Sequence, residues 1–320
     1  MTWNVPADAP TVQAGIDSAA AGDTVLVAPG TYMEPPQAAS WGPAMLVMKP
    51  GVTLKSSGGP SVTTLDAQAQ ARVIYFTGSG ARIEGFTLTN GAALGSGIGT
   101  TGAAALFVTA GVTIVDCTVA GNMGPSSVLA CWGANATIVG CSIRDNQGGG
   151  IYAFHTSGIT LSVMTSLVVD NAGDGVAMSG DGVMLVVNGS TLSGNTGHGI
   201  SIGGIATATI TNSILSYSTS GSGILCSILS GGATVSCCDV WGNAGGDGIC
   251  TTDAGGNFSL DPLFCDRAAG DYTLADGSPC LPGNHPQGEN CGLIGALGQG
   301  CSGPTATEDA TWGAIKGMFR

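Results

Sequence analysis

Positive charge is scarce in this sequence: 8 Lys and Arg stand against 21 Asp and Glu in 320 residues, for a net charge of −13. A chain with so few cations cannot neutralise a phosphate backbone, which excludes nucleic acid as a partner. Charge of either sign is thin, at 9% against the roughly 25% of an ordinary soluble domain. No stretch approaches the ~18 consecutive apolar residues of a spanning helix, and aromatics at 5% leave little for membrane belts. Cysteine is missing before Cys117, and no CxxC pair occurs anywhere, so the thiols lack the spacing of a zinc site. No secretory signal precedes Thr2-Trp3-Asn4-Val5; an exported protein would have lost it or left by another route.

What is present in quantity is glycine, 55 residues, more than twice the usual share of about 7%. A hydrophobic fraction of 43% supplies a core, and no Gly-X-Y period supports collagen. The 11 cysteines crowd the last third of the chain, where Cys237, Cys238, Cys250, Cys265, Cys280, Cys291 and Cys301 predict local disulfides closing a loop-rich end in an oxidising compartment. Cys117, Cys131, Cys141 and Cys226 are the expected free thiols.

Self-comparison exposes a repeat. Asn122, Asn146, Asn171, Asn195 and Asn243 are separated by 24, 25, 24 and 48 residues, with Ser218 standing in the coil that lacks the Asn. Strand-like segments precede each Asn (VTIVDCTVAGN, ATIVGCSIRDN, LVVNGSTLSGN), and a Gly-flanked turn with another short strand follows (GGGIYAF, GDGVAM, GHGISI). Apolar columns recur at Ile114, Ile138, Val163, Val187, Ile210 and Val235, and at Val119, Ile143, Val168, Leu192, Leu215 and Val240. A third runs through Val128, Ile151, Val176, Ile200, Ile224 and Ile249. Three short strands per coil of about 24 residues bury such columns only by stacking on the coils above and below, which predicts an all-β parallel β-helix of roughly eight to ten coils. The recurrent Asn fits a ladder of amides between coils, with an adjacent Gly supplying positive φ. A column of small residues, Cys117, Cys141, Ser166, Ser190, Ser213 and Cys238, marks another corner.

The ends of such a stack need covers. In residues 10–21, Val12 and Ile16 share one face of an expected helix over the first coil. The Cys-rich unit is expected to close the last coil, and Trp312, Ile315 and Phe319 stand at helical spacing in the tail. The expected organisation is one domain over 1–301, divided into a cap with first strands (1–50), coils (51–257) and a closing unit (258–301). A tail with a short helix follows over 302–320.

The segment PTVQAGIDSAAAGDTVLVAPGTYMEP, with GVTLKSSGGPSVTTLDA and ARIEGFTLTNG, closely resembles the opening of secreted right-handed parallel β-helix proteins of the pectin lyase-like superfamily. The stretch DPLFCDRAAGDYTLADGSPC with GLIGALGQGC resembles the closing unit of bacterial members. The resemblance spans nearly the whole chain and implies a right-handed coil. The superfamily holds polysaccharide lyases, glycoside hydrolases, epimerases, esterases, adhesins and inert surface proteins, and no catalytic motif of a characterised branch falls on this sequence. The resemblance therefore implies the fold and none of the sites.

Four constellations carry candidate chemistry. Asp145 and Asp170 take the same place in successive coils, just before the turn Asn, with Arg144 alongside. Close carboxylates can bind calcium or work as acid and base on a glycosidic bond, and the Arg can abstract a proton in a lyase. Equally, Asp-Asn is a common turn pair that Arg144 neutralises. Asp174, His198, Ser222 and Asp247 form a ladder at the Gly-x-Gly turn; Asp174 is a further calcium candidate, and the mixture has the composition of a hydrolase triad or of polar side chains facing water. Trp132, Tyr152, Phe154 and His155 cluster on adjacent coils, where aromatics stack on sugar rings or pack beneath a loop. The outward positions Thr113, Thr137, Ser162, Thr209, Thr211, Thr234 and Ser236, broken by Met164 and Val186, make an uncharged Thr-rich wall suited to ice, a crystalline surface or a second copy.

The expected function is an extracellular or cell-surface β-helix protein engaging polysaccharide or a surface glycan, without a cofactor. The alternatives are a lyase or glycoside hydrolase using Asp145, Asp170 and Arg144, with calcium if a lyase, and a surface-adsorbing or scaffold protein using the Thr-rich wall.

Overall fold

A computed structural model describes residues 1–93, 103–124, 126–156, 158–228 and 231–302. Parallel strands stack into an eleven-stranded, an eight-stranded and a nine-stranded sheet, in which each strand's neighbours come from the preceding and following coils. The molecule is an all-β right-handed parallel β-helix, as the repeat and the resemblance require. The eleven-stranded sheet exceeds the expected eight to ten coils. Its first strands, Thr2–Val5 and Thr24–Val27, pair in register with the later ones but precede any turn Asn, so the repeat signal does not count them.

Two of the predicted columns are in register: Ile114 pairs with Ile138 and Val163, and Val119 with Ile143 and Val168. All six are buried. The third column differs by one residue, because Leu129 rather than Val128 stands opposite Ile151. Both are fully buried, and strand alternation does not distinguish them where the chain enters a sheet from a turn.

Two ladders of hydrogen bonds fix the corners. Asn122 Nδ2 donates to Asn146 Oδ1 at 3.1 Å, Asn146 to Asn171 at 2.9 Å and Asn171 to Asn195 at 3.0 Å. The amides of Asn146 and Asn171 also donate to the carbonyls of Val119 and Ile143, so the buried polar atoms of the row find partners. The residue before the Asn adopts positive φ in each coil; Gly121 and Gly194 provide it, and so do Asp145, Asp170 and Tyr217. At the small-residue corner, the Cys141 N–H donates to Ser166 Oγ, Ser166 N–H to Ser190 Oγ and Ser190 N–H to Ser213 Oγ.

The first coil is covered as expected. Helix Val12–Ser18 starts at Thr11, whose hydroxyl accepts the Ala14 N–H, and it lays Val12 and Ile16 on strands Thr2–Val5, Thr24–Val27 and Ala44–Met48. No helix among the described residues is long and apolar enough to cross a membrane.

The Cys-rich unit staples the C-terminal end, as expected, and it also covers a side of the coil. After Phe258 bridges to Asp239, the chain turns back along the outer face of the nine-stranded sheet. Outward residues Thr191, Ser193, Ile214, Ser216 and Asp239 are consequently buried. Ile214 joins Leu274, Cys280 and Ile294 in a second small core, Ala296 N–H donates to Thr191 Oγ1, and Gly295 N–H donates to Asn212 O. Such outward apolar and small residues invite cover, because a bare sheet face would leave them in water.

Disulfides join Cys226 to Cys250, Cys237 to Cys291 and Cys265 to Cys301. Cys117, Cys131 and Cys141 are free and buried as expected; Cys226 is not free, and Cys238 and Cys280 are. The corner between strands Gly232–Ser236 and Asp239–Trp241, where Cys237 takes a φ of 51°, decides this. Cys238 points into the coil with no exposure, whereas its neighbour Cys237 points out towards the returning chain. The tail residues Trp312, Ile315 and Phe319 lie outside the described residues.

Candidate functional site

The outer face of the eight-stranded sheet gathers aromatic side chains. Register places Tyr75, Phe107, Ala130, Tyr152, Ala177 and Ser201 in one outward row. Tyr75 and Phe107 stack with centroids 6.0 Å apart, and Trp41 lies 6.0 Å from Phe107. Arg72 holds this end: its Nε donates to Ala103 O, its Nη1 to Trp41 O, and its guanidinium lies 5.0 Å over Phe107. Tyr75 and Phe107 are buried, with Ala39 and Trp41 packed on them. The rings of the next two coils are less covered. Trp132, Tyr152, Phe154 and His155 are only partly buried. Trp132 and Phe154 lie 4.7 Å apart with planes tilted by 35°, and Tyr152 stands between Ala130 and Ala177, so no bulky side chain of an adjacent strand crowds its ring. Partial burial pushes the Tyr152 phenol up from its ordinary pKa, so it is a neutral hydroxyl across the physiological range.

Beside Tyr152 the turn into the sheet leaves a cavity of about 230 Å³ lined by Ser126, Ser127, Gly149, Ile151, Tyr152, Asp174 and Ala177. Three coils meet here. They approach so closely that a Cβ on Gly149 would sit 2.9 Å from Asp174 O and one on Gly148 would sit 2.6 Å from Gly124 O, which accounts for the glycine run of this turn. The Ser127 hydroxyl is the one buried side-chain nitrogen or oxygen among the described residues without a hydrogen-bond partner. Asp174 Oδ1 accepts the His198 N–H at 2.7 Å.

The rest of that turn ladder is committed to the backbone. His198 Nδ1 accepts the Ser222 N–H, and the Ser222 hydroxyl donates to Gly245 O, away from the imidazole. Asp247 accepts the backbone N–H groups of Gly242 and Asn243. The row lacks the hydroxyl-to-imidazole hydrogen bond of a triad.

Asp145 and Asp170 follow paired strands, as their spacing predicts, and Arg144 Nη1 lies 3.2 Å from Asp145 Oδ2 on an exposed edge. Both aspartates have φ of 55°, a left-handed conformation that Asp tolerates better than most side chains. Asp170 Oδ2 accepts the hydroxyl of Tyr272 from the returning C-terminal chain. Burial and that contact raise the Tyr272 phenol pKa. Neither aspartate lines the cavity that includes Asp174. The structure thus joins Asp174 to Tyr152 and leaves the acid pair beside the C-terminal unit. Calcium takes six to eight oxygen ligands, and among the described residues no group of three or more His, Cys, Asp or Glu side chains is placed to hold a metal.

The Thr-rich wall exists as a register: Thr113, Thr137, Ser162, Val186, Thr209 and Thr234 pair in one outward row of the eleven-stranded sheet. Its N-terminal end is charged, where Lys55 and Arg82 both bind Glu84.

Sequence reasoning missed Trp41, Tyr75 and Phe107, which lie before the Asn repeats, and it missed Ser126 and Ser127. A signal for Tyr152's open ring was there: Ala130 and Ala177 stand in the coils either side at the repeat spacing.

Residues 48–166 match the family model of the right handed beta helix region. No curated protein matches the chain. Among solved structures, a pectate lyase, Pel9A, is similar at a TM-score of 0.58 with 15% identity, covering 89% of this chain and 90% of that one. The A-module of the mannuronan C-5 epimerase AlgE4 from Azotobacter vinelandii aligns at a TM-score of 0.38 with 16% identity, covering 78% of this chain and 90% of that one. With its stacked coils, the matched region and its likeness in fold to the pectate lyase, the chain has the right-handed parallel β-helix fold.

Proposed function

We propose that this protein is an extracellular glycan-binding β-helix whose binding face is the outer wall of the eight-stranded sheet. One observation carries the reading: Tyr152, flanked by Ala130 and Ala177, opens beside a cavity and continues into the partly buried Trp132–Phe154 pair. Aromatic rings on a firm backbone present flat apolar faces at low entropic cost, and the C–H faces of sugar rings match them. The likeness to a pectate lyase supports polysaccharide as the ligand class, and three disulfides suit an oxidising exterior.

Affinity electrophoresis and pull-down against soluble and insoluble polysaccharides test the reading. Retardation that falls by about tenfold in Tyr152→Ala and Trp132→Ala is the expected result, since a stacked ring contributes about 1.5 kcal/mol. Unchanged retention in both variants would overturn it. The same incubations, with and without calcium, are assayed for reducing ends and unsaturated product. Product that disappears in Asp170→Ala would establish instead the bond-breaking reading built on Asp145, Asp170 and Arg144.

A further inference from the structure

We propose that the cavity beside Tyr152 takes an uncharged sugar residue of a neutral polysaccharide, with Ser127 and Asp174 reading its hydroxyl groups. The inference rests on the glycan-binding reading and narrows it. Its first support is the missing cation. No Lys or Arg lines the cavity, whose charged member is Asp174. The basic groups of the described residues lie elsewhere, each with a contact of its own. Lys49 donates to the carbonyls of Asp17 and Ala19, and Lys55 and Arg82 are bound to Glu84. Arg72 is buried, Arg144 is paired with Asp145, and Arg267 lies over the Tyr217 ring. A uronate entering the cavity would meet Asp174 with its own carboxylate and no counter-charge, on a chain of net charge −13.

The second support is what the lining offers. Asp174 Oδ1 already accepts the His198 N–H, so the carboxylate is held in place with Oδ2 left to accept a sugar hydroxyl. Ser127 is 2% exposed, and its hydroxyl has no partner in the chain. An unmade buried hydrogen bond is costly, and a ligand hydroxyl reaching the cavity floor would remove that cost. Tyr152 and Ala177 complete the site with a ring and a small apolar wall. At about 230 Å³ the space lies below the ~300 Å³ at which pockets for larger ligands begin, as suits one sugar ring rather than a chain.

The test is titration of the full chain with neutral gluco-, galacto- and manno-oligosaccharides and, in parallel, with galacturonate and alginate oligosaccharides of equal length. Saturable binding of a neutral series, at least tenfold tighter than any uronate series, is expected. Asp174→Lys should narrow or reverse that preference. Ser127→Ala separates recognition from structure: relieved of an unpartnered hydroxyl, the variant should melt at the same or a higher temperature, yet bind the neutral sugar about fivefold more weakly. Wild-type protein preferring uronates overturns this inference and leaves the glycan-binding reading standing. Ser127→Ala binding with unchanged affinity overturns the role given to Ser127. Folded wild type that binds neither series overturns both.

Discussion

At Asn171 one side chain accepts from Asn146, donates to Ile143 O and donates to Asn195, while its backbone N–H donates to Asn195 Oδ1 as well. All of these are buried, where an unmade bond costs most. Asn171→Ala is expected to destabilise the fold by about 2–4 kcal/mol, read from the midpoint of denaturant unfolding. Asn171→Ser should lose less, because Ser218 already occupies the equivalent corner and passes its N–H to Asn243 Oδ1. The row was legible in the sequence because a polar residue that returns at each turn of an apolar pattern is buried with its copies, and the copies are its nearest partners. The acid pair was legible only as composition. Asp145 and Asp170 read as chemistry in a string of letters, and the backbone shows what the letters hide: both occupy the left-handed position that Gly121 and Gly194 fill in other coils.

Among elements, the returning C-terminal chain has a stability that answers to pH. It covers Asp239, whose Oδ1 accepts the Leu260 N–H and whose Oδ2 lies 3.5 Å from the Cys280 thiol. Burial pushes this carboxyl up to about 7. The folded chain therefore keeps a proton that the unfolded chain has released above its ordinary value near 3.8. Folded protein binds more protons between those two values, so stability falls as pH rises from about 4 to about 7 and is level above. Asp239→Asn retains an acceptor for Leu260 and removes the charge. Thermal unfolding across this range should decline for the native chain by the equivalent of a few kcal/mol and stay flatter for the variant; parallel curves would refute the assignment. Cysteine crowding foretold that this end is stapled, but not that it folds back. Pairing depends on how the backbone turns the corner after Ser236, so Cys237 and Cys238, adjacent in sequence, meet different fates. The cover over Ile214 had a faint signal, an apolar residue at an outward position of its repeat.

For the whole molecule, the coil itself was readable because a period of 24 to 25 residues carries its own register, and matched columns leave little freedom. The proposed binding wall was less readable, since the openness of a ring depends on neighbours a full coil away in sequence on either side. A global check is thiol accounting. Native protein should resist alkylation at Cys117, Cys131, Cys141, Cys238 and Cys280, all buried. Unfolding without reduction should expose these 5 thiols, and reduction the remainder of the 11 cysteines. Mass spectrometry of the three samples distinguishes this pattern from any other pairing. The disulfides also set how the molecule would bear tension. Pulled between its ends, it carries load across the Cys265–Cys301 and Cys226–Cys250 bonds, so between Cys226 and Cys301 the chain can lengthen only from Cys250 to Cys265. Coils before Cys226 have no covalent clip among the described residues and yield by unzipping one strand at a time. A protein anchored by its C-terminal end would thus unravel from the free end inward, and its stapled base would be the last part to give way.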